Sequence, residues 1–158
     1  MNRSLGEPTD RKQPFKFSAL QRVGFSDTDA QGIVYYGRYL PYFDLAHTEY
    51  LRHLGLLHGF EAGREFVMRT QSVVYEAPAR FDDLLEVFVR ASRIGRTSIT
   101  YAFAAYRVDD DLLLCTAEQT LVLVDLAEHR PRPIPDRYKQ PLVEHEGSDL
   151  ELAVPITR

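Results

Sequence analysis

The period of the hydrophobic residues changes early in this chain, from two to about 3.6, and that change constrains the fold most. From Phe15 to Ser26, apolar and polar residues alternate, as in a strand with one buried face. From residue 37 to about residue 55, apolar residues recur at helical spacing on one side of a helix of about five turns. Pro41 is tolerated only near a helix start, so we expect the helix to begin close to Tyr36–Tyr39.

Strand-like runs make up most of the chain after this helix. Short polar links separate them, and short links favour antiparallel pairing of consecutive strands. The predicted strands are Phe66–Glu76, Leu84–Ile94, Thr97–Val108 and Leu112–Leu126. The expected fold class is therefore α+β, with a five-stranded antiparallel sheet packed on one long helix. Such a sheet leaves edges uncovered, which favours self-association.

Length and composition suit one folded domain. The chain has 158 residues, of which 44% are hydrophobic and 27% charged, so a packed core is expected. We expect a loose tail over residues 1–14, the domain over 15–143 and a loose acidic tail over 144–158. A net charge of −4 argues against a nucleic-acid binder. The single cysteine, Cys115, excludes an intrachain disulfide and a thiolate metal cage.

The chain carries no apolar run long enough for a signal peptide core or a membrane span. We therefore expect a cytoplasmic protein without membrane insertion.

The segment 26–36 contains a dense polar cluster, Asp27–Gly32, between the first strand and the helix. A calcium loop would need a bidentate glutamate where the sequence has Arg38. A phosphoryl-transfer site with two aspartates would need a parallel sheet and further acidic residues, whereas the predicted strands are antiparallel. Both interpretations are disfavoured by their missing context.

Two interpretations of the cluster stay open on the residues alone. In one, Asp29 is a catalytic carboxylate beside a helix start whose free N–H groups stabilise an oxyanion, a minimal apparatus for hydrolysing a thioester. Gly32 then allows a left-handed backbone or a close approach. In the other, Asp27 and Asp29 only cap the loop and the helix. Asp27 fits the capping role even if Asp29 is catalytic.

A resemblance bears on this choice. The segment 27–40, which reads DTDAQGIVYYGRYL, followed by AHTE at 46–49, resembles the signature of the 4-hydroxybenzoyl-CoA thioesterase family, and especially its Tol-Pal-associated bacterial branch. The similarity continues at 75–83, 95–98 and 132–135, and so covers roughly residues 17 to 140. It implies a hotdog fold, in which the sheet wraps the long helix. It also implies homodimers or homotetramers with active sites at subunit interfaces.

The resemblance implies roles for individual residues. The catalytic aspartate of the family maps to Asp29, and its oxyanion donor maps to the backbone N–H near Tyr36. Much of the Tol-Pal-associated branch has histidine at position 36, so the tyrosine here disfavours any role that needs an imidazole. Candidate substrate-binding residues are Gly32, Tyr35, Arg93, Arg96, Thr97 and Arg132, the arginines being suited to the phosphates of CoA.

The remaining polar residues on the helix receive structural interpretations. We expect His47, on the apolar face, to be a core or interface histidine. Glu49 lies on the opposite face and is interpreted as a solvated or interface charge. No histidine has metal-ligand spacing, so we expect neither a metal nor a cofactor, with CoA entering only as part of the substrate.

The sequence thus favours an acyl-CoA thioesterase that hydrolyses an acyl or aromatic-acyl CoA to free acid and CoA. The alternatives are a non-catalytic hotdog module that binds acyl-CoA or a protein, and a hotdog dehydratase. The dehydratase is disfavoured because no histidine lies in the loop.

Overall fold

The computed structural model describes residues 4–58 and 63–153. Its α-helices are α1 (Tyr39–His53) and α2 (Asp136–Glu146). Its strands are β1 (Gly6–Pro8), β2 (Phe17–Arg22), β3 (Arg64–Tyr75), β4 (Leu84–Ile94), β5 (Ser98–Arg107), β6 (Leu112–Asp125), β7 (Arg130–Pro131) and β8 (Glu151–Leu152). Short 3-10 turns occupy Phe25–Asp27, Tyr36–Arg38 and Gly147–Asp149.

The strands form one sheet in the order β1-β2-β4-β5-β6-β3, with β7 beside β6 and β8 beside β4. All neighbours are antiparallel except the short β4–β8 pair. The five long strands are those that the sequence predicts, although the first ends at Arg22 and is followed by a 3-10 turn. Helix α1 begins where Pro41 requires and packs against β2 and β4. No helix among the described residues is long and apolar enough to cross a membrane.

The core lies between α1 and the inner face of the sheet. Phe43 of α1 is fully buried and packs on Phe103 of β5, with ring centroids 5.1 Å apart. Two turns further along the helix, Tyr50 contacts Phe17 of β2 edge to face, with ring centroids 6.0 Å apart. These contacts fix which face of α1 is turned inward, and they place its N-terminus beside the polar loop.

The described part of the N-terminal segment, from residue 4 onward, differs from the loose tail expected over residues 1–14, of which residues 1–3 lie outside the described residues. Its residues 6–8 form β1, which pairs with the outer edge of β2. Gly6 is needed there, because a Cβ at that position would lie 2.6 Å from the ring of Phe17. Arg11 then reaches over the sheet to form an ion pair with Glu86, whose carboxylate also accepts a hydrogen bond from Ser18.

The interpretation of Glu49 as a solvated charge is wrong because the ordered N-terminal segment buries it. The N-terminal segment covers this part of α1, and Glu49 is only 4% exposed. Its carboxylate accepts hydrogen bonds from the Ser4 hydroxyl at 3.0 Å and from the Leu5 N–H at 3.2 Å. Arg52 adds an ion pair at 3.4 Å.

The C-terminal segment is also more ordered than the loose acidic tail expected over residues 144–158. Helix α2 ends only at Glu146, which is fully buried. One carboxylate oxygen of Glu146 accepts hydrogen bonds from the Tyr50 hydroxyl at 2.9 Å and the Ala91 N–H at 3.0 Å. Burial raises the pKa of Glu146. Residues 154–158 of the expected tail lie outside the described residues.

Replacing Glu146 with alanine should lower the free energy of unfolding by about 2 kcal/mol or more, because two buried donors lose their acceptor. Glu146→Gln should lose less, since its amide oxygen can still accept. Urea unfolding measures both values. Glu144→Ala, an exposed position on the same helix, is the control. Equal losses for the alanine and glutamine variants would contradict the hydrogen-bond explanation.

Candidate active site

The polar cluster folds into a tight loop that returns the chain to the start of α1. The loop is closed by the bridge between Thr28 and Val34 and by the hydrogen bond from the Asp29 N–H to the Ile33 carbonyl at 3.0 Å. Gly32 has a φ of +76°, which other residues adopt only with strain. The predicted left-handed conformation at Gly32 is therefore confirmed.

Asp27 ties this loop to the helix. One oxygen of its carboxylate accepts hydrogen bonds from the Gly24 N–H at 2.9 Å and the Tyr42 hydroxyl at 2.7 Å. The other accepts from the Arg38 Nε at 3.0 Å. Burial opposes ionisation, but the bonds from Tyr42 and Gly24 and the charge of Arg38 prevail and lower the pKa of Asp27. Asp27 thus fills the capping role that the sequence allows for it.

Asp29 has a different environment. One of its carboxylate oxygens accepts a short-range hydrogen bond from the Gln31 N–H at 2.8 Å. For the other oxygen, residues 4–58 and 63–153 provide no hydrogen-bond partner, and the side chain is partly exposed. Asp29 is thus oriented on one side and available for proton transfer or nucleophilic attack on the other.

The backbone after the loop presents two N–H groups at the start of the helical segment. Tyr36 and Gly37 open the 3-10 turn that leads into α1, so their N–H groups have no acceptor within it. No other described residue accepts from either group. The turn itself is fixed by the bond from the Arg38 N–H to the Tyr35 carbonyl at 2.8 Å. Free N–H groups at a helix start carry partial positive charge and suit an oxyanion.

Asp29 and this helix start border one pocket of about 410 Å³. Most of its wall is apolar or aromatic, and its second carboxylate is Glu76. The lining residues are Asp29, Gln31, Ile33, Val34, Tyr36, Tyr39, Tyr75, Glu76, Ala77 and Pro78. Burial raises the pKa of Tyr39 to about 12, so its hydroxyl keeps its proton at neutral pH.

The candidate phosphate ligands lie elsewhere in the chain. The Thr97 carbonyl and the Arg132 N–H both bond to Leu123, which pairs with Phe66 near the beginning of β3. The pocket lies at the other end of β3, beside Tyr75. Tyr75 follows Phe66 by nine residue steps of extended strand, a span of about 30 Å. Within one chain these residues therefore do not meet Asp29.

The arginines also have partners of their own. Arg93 pairs with Glu151 of β8 at 3.4 Å, and Arg132 pairs with Glu128. The Arg96 carbonyl accepts from the Ile134 N–H at 2.9 Å, while its side chain is exposed. Tyr35 stacks its ring on that of Tyr36 at a centroid distance of 4.2 Å and does not line the pocket.

Burial keeps two other ionisable side chains, His47 and Cys115, in their neutral forms at neutral pH. The pKa of His47 is lowered to about 4, and its ring contacts Tyr101 at 4.3 Å, as suits the predicted core histidine. Its buried Nε2, however, has no hydrogen-bond partner among the described residues. Burial raises the pKa of the Cys115 thiol to about 12, so it is protonated at neutral pH. No described cluster of three or more His, Cys, Asp or Glu side chains is arranged to hold a metal ion.

Sequence reasoning misses three residues that shape this site: Gly37, Tyr42 and Tyr75. The helical spacing of Tyr42 indicates a core residue, so the pattern gives no sign that its hydroxyl binds Asp27. Tyr75 stands in the 75–83 segment, whose likeness to the thioesterase signature was the only available signal. Gly37 has a steric requirement, because a Cβ there would lie 2.9 Å from the Tyr35 ring.

Comparison with known proteins shows which family the chain belongs to. The sequence profile described as the thioesterase-like superfamily matches residues 23–142, which include the loop, α1 and the strands β3 to β6. The chain belongs to the thioesterase-like superfamily. The acyl-CoA thioester hydrolase YbgC of Escherichia coli O6:H1 is 38% identical over 120 residues, covering 72% of this chain and 86% of that protein. The acyl-CoA thioesterase YbgC of Haemophilus influenzae is 36% identical, with 78% and 91% covered.

The fold comparison confirms the hotdog prediction for this superfamily member. The crystal structure of a 1,4-dihydroxy-2-naphthoyl-CoA thioesterase from Synechocystis superimposes with a TM-score of 0.74. It covers 80% of this chain and 95% of its own length, at 20% sequence identity. At that identity the likeness concerns the fold alone, an antiparallel sheet around one long helix.

The role of Asp27 generates a stability prediction. Asp27→Ala should lower the free energy of unfolding at pH 7 by about 1–3 kcal/mol, because the Tyr42 hydroxyl and the Gly24 N–H lose their acceptor. Since the folded-state pKa of Asp27 is lowered, its contribution is present above its usual value of 3.8 and is lost as pH falls through the folded-state value. Urea unfolding between pH 2 and pH 7 should show the two proteins converging at the acid end.

The matched control is Asp109→Ala, an exposed carboxylate in the turn after β5. It should leave the free energy of unfolding within about 0.5 kcal/mol of wild type. A constant difference between wild type and Asp27→Ala across the whole pH range would contradict the assignment of an ionised, hydrogen-bonded Asp27.

Proposed function

We propose that this thioesterase-like protein hydrolyses acyl-CoA thioesters, with Asp29 as its single catalytic carboxylate. One observation carries the proposal: Asp29, with one unbonded carboxylate oxygen, borders the same pocket as Tyr36, whose backbone N–H is free at the helix start. A base or nucleophile and an oxyanion site then face a common volume. The two curated relatives named as acyl-CoA thioester hydrolase and acyl-CoA thioesterase support the reaction class.

The chemistry follows from this arrangement. The thioester carbonyl lies with its oxygen toward the helix start, where the N–H groups stabilise the negative charge that develops on attack. Asp29 either takes a proton from an attacking water or attacks the carbonyl itself to give a mixed anhydride that water then hydrolyses. In both routes the C–S bond breaks, a C–O bond forms, and CoA leaves as the thiol. The proposed route uses water and protein groups only, without a metal or a redox cofactor.

The walls of the pocket indicate the acyl group. Ile33, Val34 and Tyr39 present apolar or aromatic surface, and Tyr36 is 63% exposed at its edge. An acyl or aromatic-acyl group fits such a lining better than a charged one. Gly32 contributes through its left-handed backbone, which shapes the loop that borders the pocket. The ring of Tyr35 packs against that of Tyr36 and so restrains it.

Asp29→Asn should lower kcat by a factor of at least about 100, because an amide neither accepts the proton nor attacks the carbonyl. The fold should persist, since the remaining amide oxygen still accepts from Gln31. Thiol release from a panel of short, long and aromatic acyl-CoA substrates measures turnover, and urea unfolding checks the fold.

The matched control is Asp44→Asn, which changes an exposed carboxylate on α1. It should keep wild-type turnover. Full activity of Asp29→Asn on a good substrate would overturn the assignment. Tight acyl-CoA binding by the wild-type protein without any thiol release would instead favour a non-catalytic binding module.

A complete substrate site further requires a second copy of the chain. Strand β3 pairs with β6 along one side, and in the described part of the chain no strand covers its other side. It is twelve residues long and exposes large apolar side chains: Val67, Met68, Val74 and Tyr75. A long uncovered edge of this kind favours strand pairing with another chain. We propose a homodimer joined edge to edge through β3.

Antiparallel pairing of two β3 strands would also bring the candidate phosphate-binding residues of one chain close to Asp29 of the other. Pairing about the middle of β3 sets the end of one strand, at Tyr75, beside the beginning of the other. That beginning lies next to Arg96, Thr97 and Arg132. The arginines of one subunit would then bind the CoA phosphates at the Asp29 pocket of the other. Arg93, on the same hairpin, is a further candidate. Pairing of two dimers into a tetramer stays a prediction, as does a cytoplasmic location.

Subunit mixing tests this shared site. Asp29→Asn and the double variant Arg96→Ala, Arg132→Ala should each show low activity at substrate concentrations below KM. Co-refolded together, they should regain activity, because each mixed dimer contains one site with Asp29 from one chain and both arginines from the other. The recovery should approach one quarter of wild-type activity, since half of the dimers are mixed and each has one intact site.

The control is a mixture of Asp29→Asn with a chain that carries all three changes. No mixed dimer of that pair has an intact site, so activity should stay at the background. Absence of recovery in the first mixture, with dimer formation verified by sedimentation, would mean that the arginines do not serve the partner's Asp29.

A further inference from the structure

A second carboxylate, that of Glu76, belongs to a residue that lines the same pocket as Asp29. Glu76 directly follows the last residue of β3, and it is exposed rather than buried in the core. Within the described part of the chain, its hydrogen bonding involves the backbone N–H, and its carboxylate has no partner. The fold therefore does not use this charge, although it stands beside the proposed site.

The backbone at Glu76 is held in a fixed relation to the Asp29 loop. The Glu76 N–H donates a hydrogen bond to the Leu114 carbonyl oxygen at 2.8 Å. Three residues further on, the Ala79 carbonyl oxygen accepts from the Val34 N–H at 2.9 Å, which joins this segment to the loop. The two acidic residues of the pocket thus lie on segments that are hydrogen-bonded to the rest of the fold and to each other.

The described walls of the pocket carry no positive charge that could neutralise the two carboxylates. None of its described lining residues is a lysine, an arginine or a histidine. A compact volume of 410 Å³ measures about 9 Å across, close to the Debye length at physiological ionic strength. An acyl group that fills the pocket therefore lies within range of the Glu76 charge. That charge also reaches inward, because burial first, and then Glu76, raise the pKa of the Cys115 thiol.

We propose that Glu76 is a specificity-determining residue that restricts the pocket to acyl groups without a negative charge and so rejects acyl chains that end in a carboxylate. This inference rests on the proposed function, since it concerns the acyl group of a thioester held at Asp29. Like charges in a pocket of this size repel each other, whereas a neutral chain contacts the apolar wall and is indifferent to Glu76. The arginines proposed to arrive from a second subunit would be occupied by the CoA phosphates.

The test compares Glu76→Gln with the wild-type protein on three six-carbon substrates whose far ends differ in charge. These are hexanoyl-CoA, adipoyl-CoA, which ends in a carboxylate, and 6-trimethylammoniohexanoyl-CoA, which ends in a cation. The wild-type kcat/KM should be lower for adipoyl-CoA than for the ammonium substrate by about tenfold or more. Glu76→Gln should reduce that ratio at least about fivefold, raising the value for adipoyl-CoA, lowering it for the ammonium substrate and leaving hexanoyl-CoA within about twofold.

The opposite direction of the two changes is the signature of a charge effect, because the cost of desolvating a charged end opposes both charged substrates. Glu144→Gln removes the same charge from an exposed position on α2 and is the matched control. It should leave the ratio within about twofold. An unchanged ratio in Glu76→Gln would overturn the proposed selectivity. Equal losses for all three substrates would also overturn it, because Glu76 would then only support the fold or a contact between subunits.

Asp29→Asn separates this inference from the proposed function. Full turnover of hexanoyl-CoA by Asp29→Asn overturns the catalytic assignment and leaves the ratio measured with Glu76→Gln to stand by itself. Calorimetry on Asp29→Asn, with and without Glu76→Gln, gives the dissociation constants of the same CoA thioesters in the absence of catalysis. The constants for the two charged substrates should converge when Glu76→Gln is added. If they do not converge, the role of Glu76 is overturned alone.

Discussion

The carboxylate of Asp27 is the contact on which the rest of the site depends. It binds the Gly24 N–H before the loop and the Arg38 and Tyr42 side chains after it, so both ends of the loop are fixed to α1. Its own carbonyl holds the Tyr35 N–H at 2.9 Å, next to the free N–H of Tyr36. Asp29 is thereby placed beside a helix start, and only one of its carboxylate oxygens is hydrogen-bonded to the fold. The two aspartates of this short motif therefore have different environments: Asp27 binds the backbone and the helix, and Asp29 borders the pocket.

Much of this could be predicted from periodicity, because the long strands and α1 each bury one regular face. The choice between Asp27 and Asp29 could not be derived that way, since both are short acidic residues in one loop and only their distant partners distinguish them. The ordered N-terminal segment escaped prediction because β1 is three residues long and contains a proline, so it shows no period. Glu49 was misjudged for the same reason: it lies on the polar face of α1, and the residues that bury it come from that unrecognised segment.

Under the proposed function, the site described within one chain is one half of a larger site. Asp29 and the helix start lie at one end of β3, and the candidate phosphate ligands lie at the other. A strand of this length cannot bring its own ends together, so a CoA bound by both sets must span two chains or leave one set unused. The uncovered side of β3 favours a site that spans two chains. The hydrogen bonds that would pair the edges of two β3 strands would also align Asp29 of one chain with the arginines of the other. Assembly and substrate binding then depend on one surface.

Position 36 shows how such a site tolerates a change of side chain. The role proposed for this position needs only a backbone N–H, so tyrosine would serve it as well as the histidine expected in much of the resembling branch. The side chain is left free to shape the pocket, and Tyr36 does so with 63% of its surface exposed at the pocket wall. Its carbonyl is held by Tyr75 and its ring by Tyr35, so backbone and side chain are restrained by different neighbours. Under the proposed function, acyl selectivity can therefore vary at this position while the geometry of the proposed oxyanion site is kept.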